Sequence, residues 1–160
     1  MNLVDVFNGT RVPVDPGAVG RLAGVVLQQE GVGGAEVSIE FVGERRIRTL
    51  NAEHRGRDQV TDVLSFPLED ADEKPVLMMN GDEAPPRLLG DVVVCARQAL
   101  RQARADDLPP AFEVSLLIVH GLLHLLGHDH ESDAQAQVME RLEAEILGEL
   151  GIDPFADRAE

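Results

Sequence analysis

Apolar positions recur along this chain with two different periods, and the switches between them mark out nine elements. Residues 3–7 read as a short strand. Asp15-Pro16 has the form of a helix start, with Asp as cap and Pro at the first helical position. Val19, Leu22 and Val26 give that helix its apolar face, and Gly31, Gly33 and Gly34 end it. Val37, Ile39 and Phe41 then alternate with Ser38, Glu40 and Val42, the period of a strand. From Gly43 the pattern is helical again, with Ile47 and Leu50 inward, arginines outward and an end near Arg55-Gly56.

Residues 63–68 predict a third strand, which Pro67 places at a sheet edge or a strand end. Residues 69–87 form an acidic, proline-bearing loop, read as plain surface with a lid as the alternative. Residues 88–95 predict a strand apolar enough to be buried on both faces. A helix to about Ala105 follows, with Arg97, Arg101 and Arg104 on one side. Pro109-Pro110 opens a helix over 111–126 that is apolar nearly all round and is predicted to be the buried centre. Ser132 with Gln135 is a capping box, and Val138, Leu142, Ile146 and Leu150 are the expected seam of the last helix before Gly151 and Pro154. The order predicts one α+β domain over 1–160, a small, mostly four-stranded mixed sheet covered by about five helices.

Composition narrows the setting. A chain of 160 residues can bury roughly 70% of its unfolded surface as one domain. Cys95 is the single cysteine, so no internal disulfide can form. No signal peptide is read at the N-terminus, and the most apolar run is too short for a membrane span; a soluble, cytoplasmic protein is expected. The net charge of −15 disfavours nucleic acid in general. The charge is uneven, however: residues 44–57 hold five arginines against two glutamates, whereas residues 129–160 hold ten acids and two arginines. A local basic surface is compatible with the acidic total, and so are solvated helix faces.

The chemistry concentrates in His120-Gly-Leu-Leu-His124-Leu-Leu-Gly127-His128-Asp129-His130, which holds four of the five histidines. His120 and His124 fall on one helical face, one turn apart. Gly127 can adopt the left-handed conformation that ends a helix, which lets His130 swing back toward the pair. Three imidazoles around one ion, with a fourth position open, make a catalytic rather than a structural metal site on the central helix. His128 is expected to face elsewhere, and Asp129 to orient a histidine from behind. The spacing is also that of metzincin peptidases, but their catalytic Glu would stand where this chain has Gly121. Without that base, other groups must organise the substrate, and arginines are the candidates. Arg55 suits a phosphate, because a guanidinium forks onto two oxygens. As a helix-end residue it is equally suited to pair with Asp58.

This cluster resembles the signature of the YbeY family of bacterial endoribonucleases. Two further blocks agree with it in order: Leu50-Asn51 with Arg55-Gly56-Arg57-Asp58 and residues 61–67, then Leu89-Gly90-Asp91-Val92. The family often has Tyr where this chain has His128. The resemblance implies one Zn2+ per chain, or another divalent ion, on His120, His124 and His130, and an active-site role for Arg55. It implies metal-dependent cleavage of single-stranded RNA, with the 3′ end of 16S ribosomal RNA as cellular substrate. Ribosome maturation and quality control are the associated processes. The small ribosomal subunit, ribosomal proteins and assembly GTPases are the implied partners. Arg45, Arg46, Arg48 and Arg57 are candidates for contacts to the RNA backbone. The alternatives are a metzincin-like hydrolase of peptides or small substrates, and a non-enzymatic, zinc-stabilised ribosome-assembly factor.

Overall fold

The computed structural model describes residues 2–68, 87–128, 132–149 and 154–155, without the side chains of 142 and 145–149. Among these, the elements run β1 (Leu3–Asn8), α1 (Pro16–Gln29), β2 (Ala35–Phe41), α2 (Glu44–Arg55), β3 (Val63–Pro67), β4 (Arg87–Val94), α3 (Ala96–Ala105), α4 (Pro110–Leu125) and α5 (Asp133–Glu149). The four strands form one sheet in the order β1-β2-β4-β3. β1 and β2, and β2 and β4, pair in parallel; β3 pairs antiparallel with β4 and is an edge. Pro67 therefore sits where a missing N–H costs no ladder bond.

The strand alternation sorts the side chains onto two faces. Val4, Val6, Val37, Ile39, Phe41, Val92 and Val94 face the main core, where α1, α3 and α4 cover them and Met139 of α5 joins. Leu64 and Val93 point the other way, onto Ile47 and Leu50 of α2. Val42, which alternates with Val37, Ile39 and Phe41 in the sequence, is 4% exposed and packs in this second cluster. The alternation places it on the face opposite Phe41, and that face is covered here by α2 rather than open to solvent. The capping box at Ser132 is formed: Gln135 N–H donates to Ser132 Oγ at 3.1 Å and Ser132 N–H donates to Gln135 Oε1 at 3.2 Å.

Both boundaries of β4 and the packed face of α5 differ from the sequence reading. Arg87 belongs to β4, pairing with Ala35 and donating its N–H to Gly34 O at 2.9 Å. Cys95 is the residue before α3 rather than the last of β4, because the ladder ends at Val94. On α5, Val138 of the expected seam is 43% exposed, whereas Met139 is 2% exposed. The rest of the expected seam, Leu142, Ile146 and Leu150, lies outside the described side chains, as the 69–86 loop lies outside the described residues. The inward face of α5 carries Met139 and, four residues on, the mostly buried Glu143. A stripe that includes a carboxylate is invisible to an apolar-period search.

α4 can lie against the sheet because residue 121 has no side chain. A Cβ there would stand 2.6 Å from Val92 Cγ1 and 3.3 Å from both Ser65 Oγ and Val63 Cγ2. Ser65 Oγ uses the closeness, donating to Gly121 O at 3.0 Å. A Gly121→Ala substitution should therefore destabilise the fold by about 1–3 kcal/mol, the usual cost of overpacking a β-branched neighbour. Gly24→Ala in α1, where a Cβ meets nothing within 4 Å, should instead stabilise by roughly 0.5–1 kcal/mol. Chemical denaturation of the two variants beside the parent checks both signs.

Candidate active site

Sequence and capping place two imidazoles at the end of α4. The helix stops in a Schellman turn: His128 N–H donates to Leu123 O and Gly127 N–H to His124 O, both at 3.0 Å. Gly127 has φ +97°, as a residue in this turn requires. One turn back, His120 and His124 present edge-to-face rings with centroids 4.7 Å apart. Their Nε2 atoms are 3.2 Å apart. Two nitrogens bound tetrahedrally at zinc's usual 2.0–2.1 Å would stand about 3.3 Å from each other. The pair thus has the spacing of adjacent ligands, and its nitrogen donors suit a borderline ion such as zinc.

The reverse side of His120 is held from α5. Its Nδ1 lies 2.8 Å from Glu143 Oε1, with the carboxylate side chain only 12% exposed. His128 points away from the pair: its Nε2 bonds Glu30 Oε1 at the end of α1. Asp129 and His130 lie outside the described residues.

In front of the two histidines is a cleft of about 670 Å³, bounded by the exposed edge of β3 and the segment that follows α2. Gly56, at φ +69°, ends α2 and turns the chain along this cleft. Asn51, buried on α2, braces the turn by donating from Nδ2 to Gln59 O at 3.0 Å. Arg55 and Arg57 both line the cleft with His120 and His124. Arg55 Nη2 donates to Ser65 O at 3.4 Å, a long contact. Asp58, the alternative partner of Arg55, is taken by Arg48 in a two-point pair at 2.8 and 3.1 Å. That bond holds the Asp58 carboxyl below the usual range and raises the Arg48 guanidinium. Arg45, Arg46 and Arg48 are on the exposed side of α2 and do not line the cleft. On α3, Arg101 is bound to Glu44 at 2.7 Å, which lowers that carboxyl in turn.

The remaining polar groups brace the walls. Asp62 Oδ1 accepts from Val63 N–H at 2.7 Å, and its Oδ2 accepts from Gln102 Nε2 at 3.1 Å. The same Gln102 amide reaches buried Glu113 of α4 at 3.0 Å, tying the cleft wall to two helices. Asp91 is bonded to Ser38 across β2 and β4. Cys95 is buried and burial pushes its thiol up, away from nucleophilic use. Sequence reasoning missed Glu143, Glu30 and Gln102. None stands out in the linear pattern: Glu143 and Gln102 are ordinary helix positions, and Glu30 is the residue that caps α1.

Comparison with known proteins agrees with this geometry. The family model described as endoribonuclease YbeY matches residues 17–151. The chain is 46% identical over 129 residues to an endoribonuclease YbeY of Bradyrhizobium sp., covering 79% of this chain and 73% of that one. It is 44% identical over 144 residues to the endoribonuclease YbeY of Azorhizobium caulinodans, covering 89% and 85%. The solution structure of TM1509 from Thermotoga maritima superposes with a TM-score of 0.60 at 25% identity, covering 92% of this chain and 91% of that one. A nuclease family, a cleft with two arginines and a pair of converging imidazoles describe the same kind of phosphodiester chemistry. The chain belongs to the YbeY family of endoribonucleases.

Proposed function

We propose that this endoribonuclease cuts single-stranded RNA with one zinc ion held by His120, His124 and His130, and that its cellular substrate is the 3′ end of 16S ribosomal RNA. The observation that carries the reading is the 3.2 Å convergence of two Nε2 atoms in a cleft that also contains Arg55 and Arg57. His130 follows Gly127 by three residues in sequence, beyond the turn that ends α4 at His128. When bound, the ion supplies Lewis acidity and lowers the pKa of water toward neutrality.

The chain's own residues do the rest. His120 and His124 present their Nε2 lone pairs, and Glu143 fixes the orientation of the first ring. Arg55 grips the scissile phosphate through two N–H groups and offsets the charge that builds as the phosphorus is attacked. Arg57 holds a neighbouring phosphate. Peptide hydrolysis by a carboxylate base is not supported: Gly121 stands in that position, and Val92 Cγ1 fills the space a side chain would need. The expected partners are the small ribosomal subunit with its proteins and assembly GTPases, in the cytoplasm. No helix among the described residues is long and apolar enough to cross a membrane.

Elemental analysis of the purified full chain should find one zinc per chain, and His128→Ala should leave that ratio unchanged. Arg55→Ala should keep the fold by circular dichroism and lose about 10²–10³-fold in cleavage of an unpaired RNA oligonucleotide, the usual scale for a lost charge-stabilising donor, and His124→Ala should keep the fold and lose cleavage together with bound zinc. Arg57→Ala should raise KM several-fold, keep most of kcat, and flatten the salt dependence by about one phosphate contact. A parent protein that holds no metal, together with a His124→Ala variant that cuts RNA as well as the parent, would end the reading. A peptide library digested where RNA survives would favour the metzincin-like alternative.

A further inference from the structure

The structure assigns Glu143 as the positioning residue of the metal site, acting through His120; the inference rests on the zinc reading above. Glu143 is on the inward face of α5, four residues after Met139, which is 2% exposed. A carboxylate only 12% exposed on a packed helix face is costly unless something bonds it. What bonds it is a ring nitrogen of a proposed ligand: His120 Nδ1 is 2.8 Å from Glu143 Oε1. A carboxylate accepts and cannot donate, so the proton of the neutral imidazole is on Nδ1. The lone pair is then on Nε2, the nitrogen that lies 3.2 Å from His124 Nε2. The bond thus selects the tautomer and fixes the rotation of the ring that a metal needs.

The consequence reaches beyond one ring. Among the described residues, α5 joins the core through the apolar Met139 and reaches the site through the polar bond from Glu143 to His120. Whatever holds α5 in place also holds His120 in register. By linkage, an ion that prefers the oriented ring must tighten α5 against α4.

The test is zinc affinity rather than turnover. Zn2+ alone is titrated into the full chain, first stripped of metal, against a chromophoric chelator. Glu143→Ala should weaken binding about 10–100-fold. Glu143→Gln keeps an acceptor oxygen but no charge and should lose less. In a His120→Ala background, Glu143→Ala should cost nothing further. Nitrogen-15 spectra of the metal-free parent should find His120 as the Nδ1–H tautomer, and the Glu143→Ala variant should lose that preference while its circular dichroism is unchanged. A parent that binds zinc, with Glu143→Ala binding it within twofold of the parent, overturns the assignment and leaves the zinc reading intact. So does an equal loss in the His120→Ala background. A parent that binds no zinc overturns both, and its metal content alone distinguishes that case.

Discussion

The contact at Gly121 sets the terms for everything around it. α4 approaches the sheet until Val92 Cγ1 fills the place of a Cβ, and Ser65 Oγ reaches the backbone oxygen of residue 121. Because the helix is that close to the free edge of β3, the imidazoles on either side of Gly121 open onto the same cleft as Arg55. The same contact removes a chemistry. A glutamate after the first histidine is the base of the metzincins; here it would have to displace Val92 and Val63 from the core. A site with peptidase-like histidine spacing therefore has no room for the metzincin base at residue 121.

α5 was read least well, and the reason is physical. Apolar periodicity locates a buried face only when that face is apolar. Val138, on the apolar stripe the sequence offers, is 43% exposed, whereas Met139 beside it is 2% exposed. Glu143, four residues after Met139 and also facing inward, adds no apolar signal to that side. A functional carboxylate on a packed face degrades the very signal that would reveal its orientation. The other elements carried no such conflict. The alternation of Val37, Ile39 and Phe41, the Asp15-Pro16 start and the Ser132–Gln135 box each appear as the linear pattern implies.

The candidate site was legible to the same uneven degree. The i, i+4 histidines and the terminating glycine follow from helix geometry alone, so their convergence could be expected. The partners of charged side chains could not. Asp58 is three residues from Arg55 in sequence, yet it bonds Arg48, two turns back along α2. Likewise His128 is next to the site in sequence but is bonded to Glu30, 98 residues distant. Which cation an exposed acid selects depends on loop geometry at the ångström scale, and periodicity contains no such information.

These pairings bear on how an acidic chain can handle RNA. Of the five arginines in residues 44–57, Arg48 is neutralised by Asp58, and Arg45 and Arg46 do not line the cleft. Arg55 and Arg57 remain there, on a protein of net charge −15. Each phosphate neutralised on a single strand contributes about 0.7 to the salt exponent, so two contacts give an exponent near 1.4, far below that of a dedicated RNA-binding surface. The distant acids oppose even that attraction, though salt screens them beyond roughly 8 Å. Such a cleft can orient a phosphate once it arrives but contributes little to capturing it. On the function proposed above, affinity for RNA must then come mainly from contacts other than these two arginines, whose part is to set the geometry of the bound phosphate.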